Sequence, residues 1–182
     1  MSIQVYILSK LMEGDNYPYK LKKELSDPIP FDKMSNVTES KLYYHFESLT
    51  KQGLVEPIEV IKEENRPDKQ VFAITDKGRE QLALKIYELF EKAKNLSEMI
   101  IGMMFLRFVD QSRIVPILEK KLENLRSKQS TIEAIYSQIS IDESRKEMVD
   151  FAQSYYSNSI SSEIIWLEKL ISKLELQQNK DL

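Results

Sequence analysis

Residues 38–53 read TESKLYYHFESLTKQG, a segment with the features of one amphipathic helix. Thr38 is a good N-cap, and Glu39 lies in the first turn, where the helix dipole favours a carboxylate. Gly53 is a natural stop after a helix. At 100° per residue, one apolar stripe consists of Leu42, Phe46 and Leu49. The segment therefore predicts a helix that packs by one face and presents hydrogen-bond donors on the other.

The flanking segments complete the outline of a winged helix-turn-helix. Residues 3–12 and 19–25 have apolar positions at helical spacing, and the second of these segments has a basic side. Residues 54–61 and 70–74 are rich in Val, Ile and Phe, and a polar loop separates them, which predicts two antiparallel strands with an exposed tip. Thr75 is the N-cap expected for the next helix.

The second half of the chain is predicted to be helical throughout. Residues 99–109 are almost all apolar, so we expect this segment to be covered on all sides. Apolar positions then recur in steps of three and four over 115–139 and 160–174, a pattern typical of helices that pair with each other or with another chain. Small polar residues between 157 and 162 allow a kink there.

The fold class that follows is mainly α with a small two-stranded wing. We expect a winged-helix DNA-binding domain over residues 1–80, whose fourth helix continues to about residue 94. Residues 95–182 are expected to form a helical domain for dimerisation and a candidate effector site.

Composition excludes several classes of protein. The chain has 182 residues, 42% of them hydrophobic and 30% charged, with no cysteine and one histidine. Disulfides and cysteine-built zinc sites are therefore excluded, and no partner exists for His45 in a metal site or a catalytic triad of the usual kind. Isolated glycines form no phosphate-binding loop. We expect a cytoplasmic protein that is not an enzyme, with no cofactor, metal site or membrane span.

The net charge of residues 1–80 does not favour DNA binding, because they carry 12 Lys and Arg against 14 Asp and Glu. DNA contact is therefore predicted from the positions of individual side chains. Hydroxyls and amines on the outer face of the 38–53 helix can reach base edges and phosphates in a major groove. Tyr43 lies near the edge of that face, so core support and phosphate contact both remain open for it. The candidate DNA contacts are Ser40, Lys41, Tyr43, Tyr44, Ser48 and Lys51 on the helix, and Arg66, Lys69 and Gln70 on the wing.

Two further sets of candidate residues lie in the second half. A dimer interface is predicted at Ile160, Ile164, Trp166, Leu167, Ile171 and Leu174. A candidate pocket for a flat apolar effector consists of Met99, Met103, Met104, Phe108 and Trp166. Plain core or dimer interface is the alternative for the methionines, and an interface anchor is the alternative for Trp166.

Several blocks resemble the PadR family of bacterial regulators. LYYHF at 42–46 and LTKQGLV at 49–55 are similar to the recognition helix of that family and the turn after it, and RPDKQVFAITDKGR at 66–79 is similar to its wing. MMFLRF at 103–108 and EIIWLEKL at 163–170 resemble the C-terminal domain of the longer subfamily. The resemblance implies a homodimeric repressor whose operator binding is relieved by a small effector, phenolic acids and drugs being known effectors within the family.

A two-fold pair of winged helices would fit an inverted-repeat operator in double-stranded DNA. The alternative is a winged-helix module for protein interaction without DNA binding, an interpretation that the net negative charge of the first 80 residues favours.

Overall fold

The computed structural model describes residues 2–27, 37–62, 68–138 and 140–178. It divides into two compact units, one made of Met1–Lys92 and Glu98–Val109 and the other of Ala93–Ser97 and Asp110–Leu182. The predicted fold class is confirmed, because the described residues are mainly helical and contain a two-stranded antiparallel sheet.

The first unit has the order of a winged helix. Its elements are α1 (Ser2–Glu13), α2 (Pro18–Leu25), α3 (Glu39–Lys51), β1 (Val55–Ile61), β2 (Lys69–Ile74), α4 (Asp76–Lys92) and most of α5 (Leu96–Met104), followed by a 3-10 turn at Leu106–Phe108. Pro18 opens α2, where a missing amide costs little. The core of this unit includes Val5, Ile7, Leu8, Leu21, Leu42, Phe46, Leu49, Leu82, Ile86 and Phe90.

The wing is a short hairpin with one irregularity. Val55 pairs with Ile74 at the base and Ile61 with Lys69 towards the tip, and the register shifts between Pro57 and Glu59. Proline has no amide to give to a ladder, so a bulge beside it is favourable. Asn16 extends the sheet from the other side: its N–H donates to the Phe72 carbonyl at 3.1 Å, and the Phe72 N–H donates back at 2.9 Å.

The methionine-rich segment is not covered on all sides, contrary to expectation. Met99 is buried, whereas Met104 is 43% exposed, because the helix ends there and the chain continues into a 3-10 turn. Gly102 allows a close approach to α4, since a Cβ at that position would lie 2.8 Å from the ring of Phe90. This part of the chain thus completes the core of the first unit.

The second unit is an antiparallel helix pair. A 3-10 turn at Gln111–Arg113 leads into α6 (Val115–Gln138), and α7 (Glu143–Gln178) returns along it. Arg126 of α6 forms an ion pair with Glu168 of α7 at 2.6 Å, and the Gln129 side chain donates to the Ser161 hydroxyl at 3.2 Å. The α7 helix continues without a break through residues 157–162, so the serine-rich segment does not interrupt it.

Candidate nucleic-acid interface

The N-terminal end of α3 is built as the sequence predicts. The backbone of Thr38 is extended, and its hydroxyl accepts a hydrogen bond from the Lys41 N–H at 3.3 Å. The predicted apolar stripe is confirmed, because Leu42, Phe46 and Leu49 are the buried residues of this helix. The ring of Phe46 also packs against that of Phe72 of β2, with 4.6 Å between ring centroids and the planes tilted by 39°, which attaches the helix to the wing.

The C-terminal end of α3 is held by a Schellman motif. Gly53 has a φ of 69°, a left-handed conformation that glycine adopts without strain. Its N–H donates to the Thr50 carbonyl at 2.9 Å, and the Leu54 N–H donates to the Leu49 carbonyl at 2.9 Å. Both bonds satisfy carbonyls that the last turn of the helix would leave unpaired.

The same end of α3 is joined to the start of α4. The Thr75 hydroxyl donates to the Gly53 carbonyl at 2.8 Å and accepts from the Gly78 N–H at 3.0 Å, so it caps α4 and anchors the turn after α3. A Cβ on Gly78 would lie 2.1 Å from the Leu54 carbonyl oxygen, which shows how closely the two segments approach. The orientation of α3 is therefore fixed at both ends.

The outer face of α3 is polar and accessible. Five of the six predicted helix contacts are exposed: Ser40, Lys41, Tyr43, Tyr44 and Lys51. Tyr44 is 66% exposed and Tyr43 46%, so the structure places both phenols outside the core. Partial burial and the neighbouring Glu39 raise the pKa of Tyr43. Glu39 and Glu47 are also exposed on this helix, and their charges offset those of the two lysines.

Ser48 is the predicted helix contact that the fold already uses. It is half-buried, and its hydroxyl accepts from the side-chain amides of Gln52 at 3.1 Å and Gln4 at 3.5 Å. Gln4 in turn accepts from the Lys85 ammonium at 3.1 Å. Ser48 thus links α3 to α1 and α4.

His45 is half-buried on the same helix, as expected for a packed residue. Its Nδ1 is buried and has no hydrogen-bond partner in the described part of the chain, and its ring meets Tyr44 edge-on at 5.3 Å. Burial, with the positive charge of Lys41 adding to it, lowers the pKa of His45, so the ring stays neutral at pH 7.

Two of the three predicted wing contacts, Gln70 and Lys69, already interact with other parts of the first unit. The Gln70 side-chain amide donates to the Glu59 carbonyl at 2.8 Å and to the Val71 carbonyl at 3.2 Å. The Lys69 ammonium lies 5.5 Å from the centre of the Tyr17 ring. Arg66 lies outside the described residues.

Sequence reasoning did not assign two exposed lysines of α2 that belong to this region. Lys20 and Lys23 are exposed on a helix that packs against α3, with Lys20 4.0 Å from Glu24. The basic side of residues 19–25 was the available signal. These lysines are further candidate phosphate contacts.

The other predicted residues lie in both units. Four of the candidate effector residues lie in the first unit: Met99 is buried, Met103 and Phe108 are half-buried, and Met104 is exposed. Trp166 belongs to the second unit and is 53% exposed. Of the candidate dimer residues, Ile164 is half-buried, and the members buried within the single chain are Ile160, Leu167, Ile171 and Leu174. Both assignments stay predictions.

The described residues contain neither a candidate metal site nor a candidate membrane-spanning helix. No group of three or more His, Cys, Asp or Glu side chains there is arranged to hold a metal ion. No described helix is both long enough and apolar enough to cross a bilayer.

Comparison with known proteins gives one family and several distant structures. Residues 7–84 match the model of the transcriptional regulator PadR-like family, and no curated protein sequence matches the chain significantly. The chain is similar to Bacillus subtilis PadR in complex with operator DNA, at 13% identity and a TM-score of 0.39 over 96% of this chain and 99% of that one. It is similar to smu.1604c from Streptococcus mutans UA159, at 18% identity and a TM-score of 0.41 over 93% of this chain and 98% of that one. It is also similar to Bacillus subtilis PadR in complex with p-coumaric acid, at 15% identity and a TM-score of 0.36 over 96% of this chain and 99% of that one.

Proposed function

Because residues 7–84 match the model of the transcriptional regulator PadR-like family, we propose that this protein is a homodimeric repressor that binds an inverted-repeat operator and releases it when a small effector binds. Its length and helical second half fit the longer members of that family. The observation that carries the DNA-binding part is the outer face of α3: a polar, accessible surface on a helix whose two ends are fixed by Thr38 and by the Gly53 turn.

The proposed docking places α3 in a major groove, which is about 12 Å wide and admits one helix. Ser40 and Tyr44 would contact base edges, because their hydroxyls donate and accept near the N-terminal end of the helix. Lys41 and Lys51 would contact phosphates, which position the protein without reading sequence. Ser48 would contribute less, because Gln4 and Gln52 already donate to its hydroxyl.

The remaining parts of the proposal follow from symmetry and from the family. Two winged helices related by a two-fold axis would read two half-sites about one helical turn apart or a multiple of it. A flat aromatic effector near Met99, Met103 and Phe108 would act by changing the angle between the two DNA-binding units. We propose no catalytic role, and a cytoplasmic location is the one in which such a regulator works.

The proposal is tested by fluorescence anisotropy on a labelled fragment from upstream of the protein's own gene. The variant Lys41→Ala/Tyr44→Ala should lose at least tenfold in affinity while remaining dimeric. Lys120→Ala, which removes an exposed lysine from α6, is the control and should bind as wild type does.

A salt titration adds a second readout. The slope of log K against log salt is negative, and Lys41→Ala alone should reduce its magnitude by about 1 for each lysine removed, or about 2 in a dimer. Wild-type affinity in the double variant would overturn the assignment of α3. A wild-type chain that selects no fragment from genomic DNA would favour the protein-interaction alternative instead.

A further inference from the structure

A row of alternating charges joins α1 to α2. The Lys10 ammonium of α1 lies between two carboxylates, 2.5 Å from Oε2 of Glu13 and 2.9 Å from Oε2 of Glu24. Glu24, on α2, also lies 4.0 Å from the Lys20 ammonium. At the other end of the row Glu13 forms an ion pair with Arg107. Lys10 therefore links the two helices, because it contacts a carboxylate on each of them.

The centre of this row is more shielded from water than its ends. The side chain of Lys10 is 21% exposed, whereas that of Lys20 is 51% exposed. Burial alone would lower the pKa of Lys10, but contact with Glu13 and Glu24 outweighs it and raises that pKa. The ammonium thus stays charged at neutral pH. Removing Glu24 would leave a half-buried charge without the partner that ties it to α2.

The α2 helix depends on α1 for its orientation. It has eight residues, too few for a helix to be stable in isolation, so its packing holds it in place. The Tyr6 hydroxyl of α1 donates to the Leu21 carbonyl at 2.8 Å, and the Lys10–Glu24 ion pair lies one turn further along both helices. Two polar contacts one turn apart fix the rotation of α2 about its own axis, which an apolar face alone leaves free to adjust.

This rotation decides where the lysines of α2 point. At 100° per residue, Lys20, Lys23 and Glu24 lie within an arc of about 100°. A rotation of about 20° moves the end of a side chain by roughly 2 Å, given a helix radius of about 5–6 Å with side chains. That shift is enough to break a hydrogen bond of about 2.9 Å to a phosphate oxygen. The exposed Lys20–Glu24 pair is weak, so Lys20 can leave Glu24 for a phosphate.

We infer that Lys10 and Glu24 are positioning residues for DNA binding, whose ion pair holds α2 at the rotation that brings Lys20 and Lys23 to the phosphate backbone. Neither Lys10 nor Glu24 contacts DNA in this role. The inference rests on the proposed function. It gives Glu24 an effect opposite to that of its charge, because a carboxylate near phosphates repels them.

The first test is the affinity of Glu24→Met for the labelled fragment from upstream of the protein's own gene, measured by fluorescence anisotropy. This change removes a negative charge, so charge alone predicts tighter binding. Positioning predicts binding about threefold weaker at each half-site, or about tenfold weaker in a dimer that uses two. Glu24→Gln should lose less, because its amide oxygen can still accept from Lys10. Glu80→Met makes the same charge change at an exposed position of α4 and should not weaken binding.

The double variant Lys10→Met/Glu24→Met separates position from charge. Its net charge equals that of wild type, so its loss of affinity reports position alone. It should bind about as weakly as the weaker of the two single variants, because both residues act through one ion pair. Wild-type affinity in the double variant would overturn the inference. Thermal unfolding followed by circular dichroism should show that each variant is folded at the assay temperature.

A salt titration tests whether Glu24 acts through Lys20. In the wild-type background, Lys20→Ala should reduce the magnitude of the slope of log K against log salt by about 2 in a dimer. In the Glu24→Met background the same change should reduce it clearly less, because Lys20 has already moved away from the phosphates. Equal reductions in the two backgrounds would contradict the positioning role.

Failure of this inference differs from failure of the proposed function. If wild type binds its operator and Glu24→Met binds at least as tightly, the ion pair does not position α2 and the regulator stands. If wild type binds no DNA, both are overturned.

Discussion

Replacing Gly78 with alanine should destabilise the first unit by about 2 kcal/mol. The new Cβ would lie 2.1 Å from the Leu54 carbonyl oxygen and 2.7 Å from Cγ1 of Ile74. The Leu54 carbonyl accepts the Thr75 N–H at 3.1 Å, so moving it away also weakens that bond. Overpacking costs about 1–3 kcal/mol, and weakening the Thr75–Leu54 hydrogen bond costs about 0.5–1.5 kcal/mol. The higher helix propensity of alanine offsets up to about 1 kcal/mol of this loss.

Thermal unfolding followed by circular dichroism measures this loss. For a unit of about 100 residues, 2 kcal/mol corresponds to a fall in Tm of roughly 8–16 °C. Glu80→Ala, at an exposed position of the same helix, is the control and should shift stability by no more than about 0.5 kcal/mol. A Gly78→Ala chain that melts at or above the wild-type temperature would refute the packing argument, because the gain in helix propensity would then exceed the steric cost of the added Cβ.

Three further predictions concern α3. Thr38→Ala removes the cap on the Lys41 N–H and should cost about 1 kcal/mol in urea unfolding, whereas an unchanged midpoint would contradict the cap. Gly53→Ala should cost about 1–2 kcal/mol because of its left-handed φ, and Gly53→Asn clearly less; equal losses would point to another cause. Because the pKa of His45 is lowered in the folded chain, the unfolded chain takes up the proton first as pH falls through about 6.5. Stability should therefore decrease from pH 7.5 to 5.5, and less so in His45→Gln; identical pH profiles would exclude His45 as the source.

The winged-helix region could be predicted from sequence because neighbouring residues decide its elements. A cap such as Thr38 acts on an amide three positions away, and the Leu42, Phe46 and Leu49 stripe repeats within two turns. The hairpin follows in the same way from two apolar runs around a polar loop. The residues that make these interactions are close in sequence, so local sequence patterns are enough to predict them.

Which polar side chains of the candidate site are available could not be predicted. Ser48 accepts from Gln4, 44 positions away, and Gln70 donates to the Glu59 carbonyl across the hairpin. Helical periodicity places Ser48 on a polar face and the loop-side end of a strand accounts for Gln70, but neither pattern shows that another segment already binds the side chain. Such contacts depend on how distant elements pack.

The α7 helix separates the two kinds of information most clearly. Its apolar positions and their spacing can be read from the order of residues, because the helical period alone sets which side chains share a face. Which of these faces is buried cannot be read from the sequence. Leu167 and Trp166 are adjacent in the chain, yet the first is buried and the second is 53% exposed. Only the packing of the second unit decides this, because burial depends on what lies across the helix in space.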